Sequence, residues 1–215
     1  MTSPQQLPPA SDFYLAAHDG IGGRALLSER VLGVGLGAGL LGELMFWRRI
    51  QLISDTTFQV VDPQPTGDQA ASAVLRRLAE TPGPHDLRQW IPYLAGFATG
   101  LVEHRLLFAG VLRRETKRRL LSTNTSLVFD DPRSPGQPAI RIRTQLSYNQ
   151  PLDIADLMLA GLFLATGLDA LVFDTLNPRD RARLSDQFRR TLPQPLRHLV
   201  TWTEAAVGSS AVMSS

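Results

Sequence analysis

Five cations and one acid fall in seven consecutive positions: Arg113, Arg114, Glu115, Thr116, Lys117, Arg118 and Arg119, with Val111-Leu112 before them and Leu120-Leu121 after. The stretch Val111 to Leu121 reads as a charged hairpin, in which alternate side chains face opposite ways. A basic tip between apolar ends suits an anionic interface, whether lipid headgroups or nucleic acid. The same charges serve a plain structural purpose as well, because cations on a hairpin edge discourage aggregation through that edge. The sequence leaves both readings open.

Other candidate chemistry is weaker. Gly37, Gly39 and Gly42 satisfy G-x-G-x-x-G, the spacing that lets a backbone approach pyrophosphate. A dinucleotide site needs a strand before the first glycine and a parallel βαβ unit after it. These glycines lie instead within an apolar helical pattern and precede a hairpin, so close helix packing is their expected use. His18, His85, His104 and His198 are scattered, and no pair has the i, i+4 spacing that sets two imidazoles on one metal. Asp130-Asp131 adjoin Pro132 in a loop, and Asp153 with Asp156 flank a helix start, where acids favour the macrodipole. No G-x-S-x-G elbow or P-loop occurs. The chain has no cysteine, which excludes disulfides, thiolate metal sites and cysteine nucleophiles. The expectation is a protein with no enzymatic activity, no cofactor and no metal.

These residues must be positioned by a chain of 215 residues, 43% apolar and 20% charged, which suits one compact core. The net charge is only +2, and Lys117 is the sole lysine. Arginine is weakly hydrated and forks onto phosphate, so this usage fits an anionic partner; GC-rich codon usage gives the same bias. The opening MTSPQQLPPA lacks the basic region and apolar run of a signal peptide. The most apolar stretch, Val31 to Trp47, contains Glu43 and several glycines and falls short of the roughly 20 apolar residues of a membrane span.

Along the chain, Asp12 to His18 is a short apolar segment and Asp19 to Gly23 a glycine turn. Ser28 is placed to cap a helix that carries Val31, Leu32, Val34, Leu36, Leu40, Leu41, Leu44 and Met45. Ile50 to Ile53 and Thr57 to Val61 form a small hairpin. A helix follows through Leu78, with Thr66 or Asp68 as its cap, and breaks at Thr81-Pro82-Gly83-Pro84. Further helices cover Asp86 to Leu94 and Ala98 to Ala109, the latter ending at Gly110. Asp130 to Pro138 is a loop, and Ile140 to Tyr148 fits strand or helix equally. Asp153 to Phe173 is a central buried helix or a broken pair. Arg179 to Arg190 forms an Arg-rich helix after Pro178, and Leu196 to Val207 a last one. The expected fold is mainly α, a single compact helical domain with short β-hairpins. It covers residues 11–207, between disordered tails at 1–10 and 208–215.

Gly35-Leu36 through Glu43-Leu44, Arg48-Arg49-Ile50-Gln51-Leu52, Asp62, Pro65-Thr66-Gly67-Asp68, Arg105-Leu106 and Gly110-Val111-Leu112 with its charged hairpin occur in that order. This ordered set resembles the Golgi phosphoprotein 3-like family, from about Phe13 to Thr203, and looks more like its bacterial branch. The resemblance implies a helical domain without catalytic residues that binds membranes peripherally. Eukaryotic members recognise phosphatidylinositol 4-phosphate and retain glycosyltransferases in the Golgi, and the family's hairpin takes part in oligomerisation and membrane contact. Those members hold the headgroup with a tryptophan and three arginines; the corresponding places here are Ser28, Gly37, Gly96 and Thr99, so that site is not reproduced. Arg24, Arg30, Arg113, Arg114, Lys117, Arg118 and Arg119 are the expected lipid-binding residues, at about 1 kcal/mol per basic group near a surface. The expected partner is anionic phospholipid at the cytoplasmic membrane face, with a protein partner and self-association through the hairpin as further expectations. Helix, Gly110 and basic hairpin also resemble the wing of a winged-helix protein, which makes nucleic acid the rival partner.

Overall fold

Ser28 has extended backbone and its side chain accepts a hydrogen bond from the Val31 N–H, which starts helix α2 (Glu29–Phe46). Every residue from Leu32 to Leu44 is buried, so α2 is apolar all round and forms the axis of the fold. The computed structural model describes residues 7–20, 22–119 and 122–212; the side chains of residues 117–119, 122–125 and 210–212 lie outside that description.

Glycines decide how closely other helices approach this axis. The Phe13 ring of α1 (Pro9–Ala16) occupies the space where Gly35 would carry a Cβ, and a Cβ at Gly39 would lie 3.0 Å from Ala10. At Gly33 a Cβ would overlap the Ala95 carbonyl of α4 (Leu87–Ala95), and at Gly42 it would overlap Met158 of α7 (Ile154–Thr166). Each glycine costs up to about 1 kcal/mol of helix propensity. Tight packing on three sides offsets that cost, and the glycine-rich pattern is therefore a helix and not a phosphate loop.

After α2, strands β1 (Ile50–Leu52) and β2 (Thr57–Val60) pair antiparallel, with Ile50 opposite Val60. A third strand, β3 (His85–Asp86), adds to β2 with His85 opposite Phe58; two residues are too short to show a period in sequence. Asp68 caps α3 (Gln69–Glu80) by accepting from Ala71 N, and Asp86 caps α4 by accepting from Arg88 N. Helix α5 (Ala98–Phe108) stops where Gly110 takes φ 70°, a left-handed conformation that glycine adopts without strain.

Strands β4 (Leu112–Arg119) and β5 (Ser122–Phe129) follow, then a 3-10 turn at Ser134–Gly136 and helix α6 (Gln137–Ser147). The ambiguous stretch Ile140 to Tyr148 is thus helical up to Ser147, burying Ile142 and Leu146 at i, i+4 spacing. Asp153 to Phe173 is a broken pair: α7 ends at Gly167 (φ 73°), and the short α8 (Asp169–Val172) comes after it. Asn177 caps α9 (Pro178–Thr191). The last helix, α10 (Gln194–Val212), runs beyond Val207 because no proline interrupts it. Among the described residues the architecture is mainly α, ten helices with two small antiparallel sheets.

Candidate functional site

The charged stretch is not a hairpin closed within Val111 to Leu121. Arg113 to Arg119 form a single strand, β4, and the return strand is Ser122–Phe129, paired from Leu112 opposite Phe129 to Arg119 opposite Ser122. The expected basic tip is therefore a basic edge. Sequence reasoning missed β5 because Ser122-Thr123-Asn124-Thr125-Ser126 has no apolar alternation, although threonine suits a strand. Leu120 and Leu121, where the strands reverse, lie outside the described residues.

Eight paired residues span about 24 Å at strand rise. Pleating sets Arg113, Glu115, Lys117 and Arg119 on one face and Arg114, Thr116 and Arg118 on the other. Cations thus occur on both faces of β4, while β5 carries no charged residue. The ribbon is rooted by Leu112 and Phe129, both buried, and the Phe129 ring meets the edges of His18 at 5.9 Å and Tyr14 at 6.4 Å. The Asp130 N–H donates to the Val111 carbonyl at 3.0 Å and closes the root.

Arg113 and Arg114 are exposed. Arg113 lies 3.8 Å from Glu115 and 3.9 Å from Asp130, contacts so solvated that they leave its charge largely available. The side chains of Lys117, Arg118 and Arg119 are outside the described part of the chain. Arg24 is exposed on a turn held by Asp19 N–H to the Arg24 carbonyl at 2.9 Å. Gly23 of this turn lies beside the Leu127 carbonyl of β5, which brings Arg24 towards the ribbon's root. Arg30 is exposed in the first turn of α2.

None of the four positions that the resemblance aligned with a headgroup site carries an arginine, and at Gly37 there is no room for one. Ser28 is spent on the α2 cap, and a Cβ at Gly37 would already lie 2.8 Å from Leu94 Cβ. Gly96 is exposed and Thr99 partly buried at the joint between α4 and α5.

Two buried ion clusters escaped sequence reasoning. Arg105 of α5 donates to both carboxylate oxygens of Glu43, to Asp68 at 2.6 Å and to Ser11 Oγ at 3.3 Å, while Ala10 N–H donates to Glu43 at 2.9 Å. Burial opposes charge on both partners. It raises the Glu43 pKa despite Arg105, whereas the two carboxylates outweigh it at Arg105 and hold that guanidinium charged. Arg141 of α6 similarly bridges Asp12 at 2.7 Å and Asp156 at 2.6 Å. Burial pushes the Asp12 carboxyl up to about 6, against the pull of Arg141 and with help from the neighbouring charges of Asp156 and Glu43. A lone acid within the apolar run of α2 was the available signal for the first cluster. Both clusters tie helices together: Arg105 holds α5, the helix from which the ribbon springs, and Arg141 joins α6 to α1 and α7.

The helical domain thus projects a basic two-stranded ribbon from the end of α5. Among the described residues no helix is long and apolar enough to cross a membrane. The sequence model of the family described as Golgi phosphoprotein 3 (GPP34) matches residues 10–207, and the chain belongs to that family. No curated protein matches it.

Proposed function

We propose that this protein is a non-enzymatic peripheral membrane adaptor that meets anionic lipid through the β4–β5 ribbon and presents a different face to a protein partner. The observation that carries the reading is the placement of charge. Arg113, Arg114, Lys117, Arg118 and Arg119 share one strand, its partner strand is uncharged, and the ribbon's root is buried through Leu112 and Phe129. Arg24 and Arg30 extend the cationic surface. With Ser28, Gly37, Gly96 and Thr99 at the family's headgroup positions, binding rests on general attraction to anionic headgroups and is sensitive to salt. The cytoplasmic membrane face is the implied location. The test is co-sedimentation with neutral vesicles and with vesicles carrying phosphatidylglycerol, cardiolipin or phosphatidylinositol 4-phosphate, at low and near-physiological salt. Comparable binding to all anionic vesicles supports the reading, and equal binding to neutral vesicles contradicts it.

A second reading has its own observation. Among the described residues the ribbon has two strands, so each has an outer edge to which another copy of the chain could add a strand. A concentration-dependent oligomer in sedimentation velocity, lost on deletion of residues 113–128, supports it; a monomer with the ribbon intact contradicts it.

A further inference from the structure

Away from the ribbon, four aromatic rings step outward from the small sheet. His85 is buried, Trp90 stands edge-on to it at 5.1 Å, Tyr93 follows at 5.2 Å from Trp90, and Phe97 at 5.3 Å from Tyr93. Tyr93 is 55% exposed, which is high for a side chain in a ring ladder that begins in the core. The guanidinium of Arg77, from the last turn of α3, lies over the Phe97 ring at 4.1 Å. Arg77, Glu80, Thr81, Gln89, Trp90 and Tyr93 line a cleft of about 450 Å³ between α3 and α4, within the size range of ligand pockets.

Two lining groups have partners, the Thr81 hydroxyl donating to the Arg77 carbonyl at 3.0 Å and Glu80 lying 4.0 Å from Arg76, while three others are unspent. Among the described residues, the Arg77 side chain makes no ion pair and donates no hydrogen bond, and the Trp90 indole N–H and Tyr93 hydroxyl have no partner. Arg77 nevertheless has a defined place, because its guanidinium carbon lies over the Phe97 ring. A guanidinium fixed by stacking keeps its fork of donors available to a carboxylate or phosphate and loses less entropy when it binds.

We propose that this cleft binds a protein segment through a carboxylate on Arg77 and an adjacent apolar or aromatic side chain against Trp90 and Tyr93. Two features favour a peptide over a lipid surface. The lining holds one cation, Arg77, and one acid, Glu80, which also lies 4.0 Å from Arg76, so it lacks the run of cations that would draw it to an anionic membrane. Phe97 caps the start of α5, whereas the ribbon springs from the end of that helix, 11 residues and about 16 Å away. The inference holds independently of what the ribbon binds.

Nitrogen-15 NMR of the indole and guanidinium N–H groups tests it, with four soluble probes: acetyl-Phe-Glu-Phe-amide, its Phe-Gln-Phe counterpart, inorganic phosphate, and monomeric dihexanoyl phosphatidylglycerol. The expected result is a saturable shift of the Trp90 indole and Arg77 Nε–H signals with the acidic peptide, and at least tenfold weaker binding of the glutamine peptide. Arg77→Met should weaken the acidic peptide at least tenfold, while Arg77→Lys, which keeps the charge without the fork, should be intermediate. The Trp202 indole, held by the Asp55 carbonyl at 3.0 Å, reports whether each variant is folded. No shift with the acidic peptide, equal binding of the two peptides, or unchanged binding by the folded Arg77→Met protein overturns the proposal. So does a phosphate or lipid probe that binds Trp90 and Arg77 better than the acidic peptide, since the cleft would then be a phosphate or headgroup site.

Discussion

Arg105 grips both carboxylate oxygens of Glu43 across 62 residues of sequence, with Nη1 3.0 Å from Oε1 and Nη2 2.7 Å from Oε2. Glu43 stands in the last turn of the axial helix, and Arg105 about one turn before the end of the helix that carries the ribbon. The pair therefore fixes the ribbon's root against the core. Arg105 also holds Asp68, which caps α3, and Ser11 of α1, so a single guanidinium ties α5 to three other helices.

Removing one member of this pair leaves an uncompensated buried charge. Arg105→Met is expected to destabilise the fold by about 3–5 kcal/mol, and Glu43→Leu with Arg105→Met by clearly less than Arg105→Met alone. Urea unfolding of the two variants checks this. Equal losses would mean that packing, not charge pairing, sets the cost.

Gly33 of the axial helix and Gly100 of α5 should respond in opposite ways to the same substitution. A Cβ at Gly33 would overlap the Ala95 backbone, so Gly33→Ala is expected to cost about 1–3 kcal/mol. Gly100, within α5, has nothing within 4 Å of that position, and Gly100→Ala should stabilise by up to about 1 kcal/mol. Thermal unfolding of the two proteins measures both, and a destabilised Gly100→Ala would show that the space beside α5 is occupied.

Asp12 gives stability a pH dependence with a definite sign. An ordinary aspartate ionises near 3.8, but in the fold Asp12 keeps its proton up to about 6. Between those values the folded state binds more protons than the unfolded state, so this contribution weakens as pH rises from about 4 to 6 and is level above that. The difference amounts to about 3 kcal/mol, with Arg141, Asp156 and Glu43 as the charges that face the group. Glu43, also raised, acts in the same sense. Relative to Asp12→Asn, the natural protein should lose stability across this window in urea titrations. A constant difference from pH 4 to 6 would mean that Asp12 ionises normally.

Local chemistry was legible in the sequence where it acts locally. Ser28, Asp68 and Gly110 each mark a helix end through their own side chain or backbone, and all three do so in the fold. The ordered residues from Gly35 to the charged stretch pointed to the family that spans residues 10–207. What depends on distant partners was hidden. Glu43, Asp12 and Asp156 find their arginines 62, 129 and 15 residues away, and no spacing announces such pairs. Strand β5 was hidden because Ser122 to Ser126 are polar on both faces, so the cations of β4 looked like a tip instead of an edge. Ile140 to Tyr148 had apolar residues compatible with two periods, and burial of Ile142 and Leu146 on one face selected the helix.

The most direct test of membrane docking is vesicle co-sedimentation of the natural protein beside one in which Arg113, Arg114, Arg118 and Arg119 are all alanine, on phosphatidylglycerol vesicles at near-physiological salt. At about 1 kcal/mol per basic group, the quadruple variant should bind roughly two to three orders of magnitude more weakly while unfolding at the same urea concentration. Unchanged vesicle binding by the folded variant would contradict the assignment of the ribbon as the lipid-binding surface.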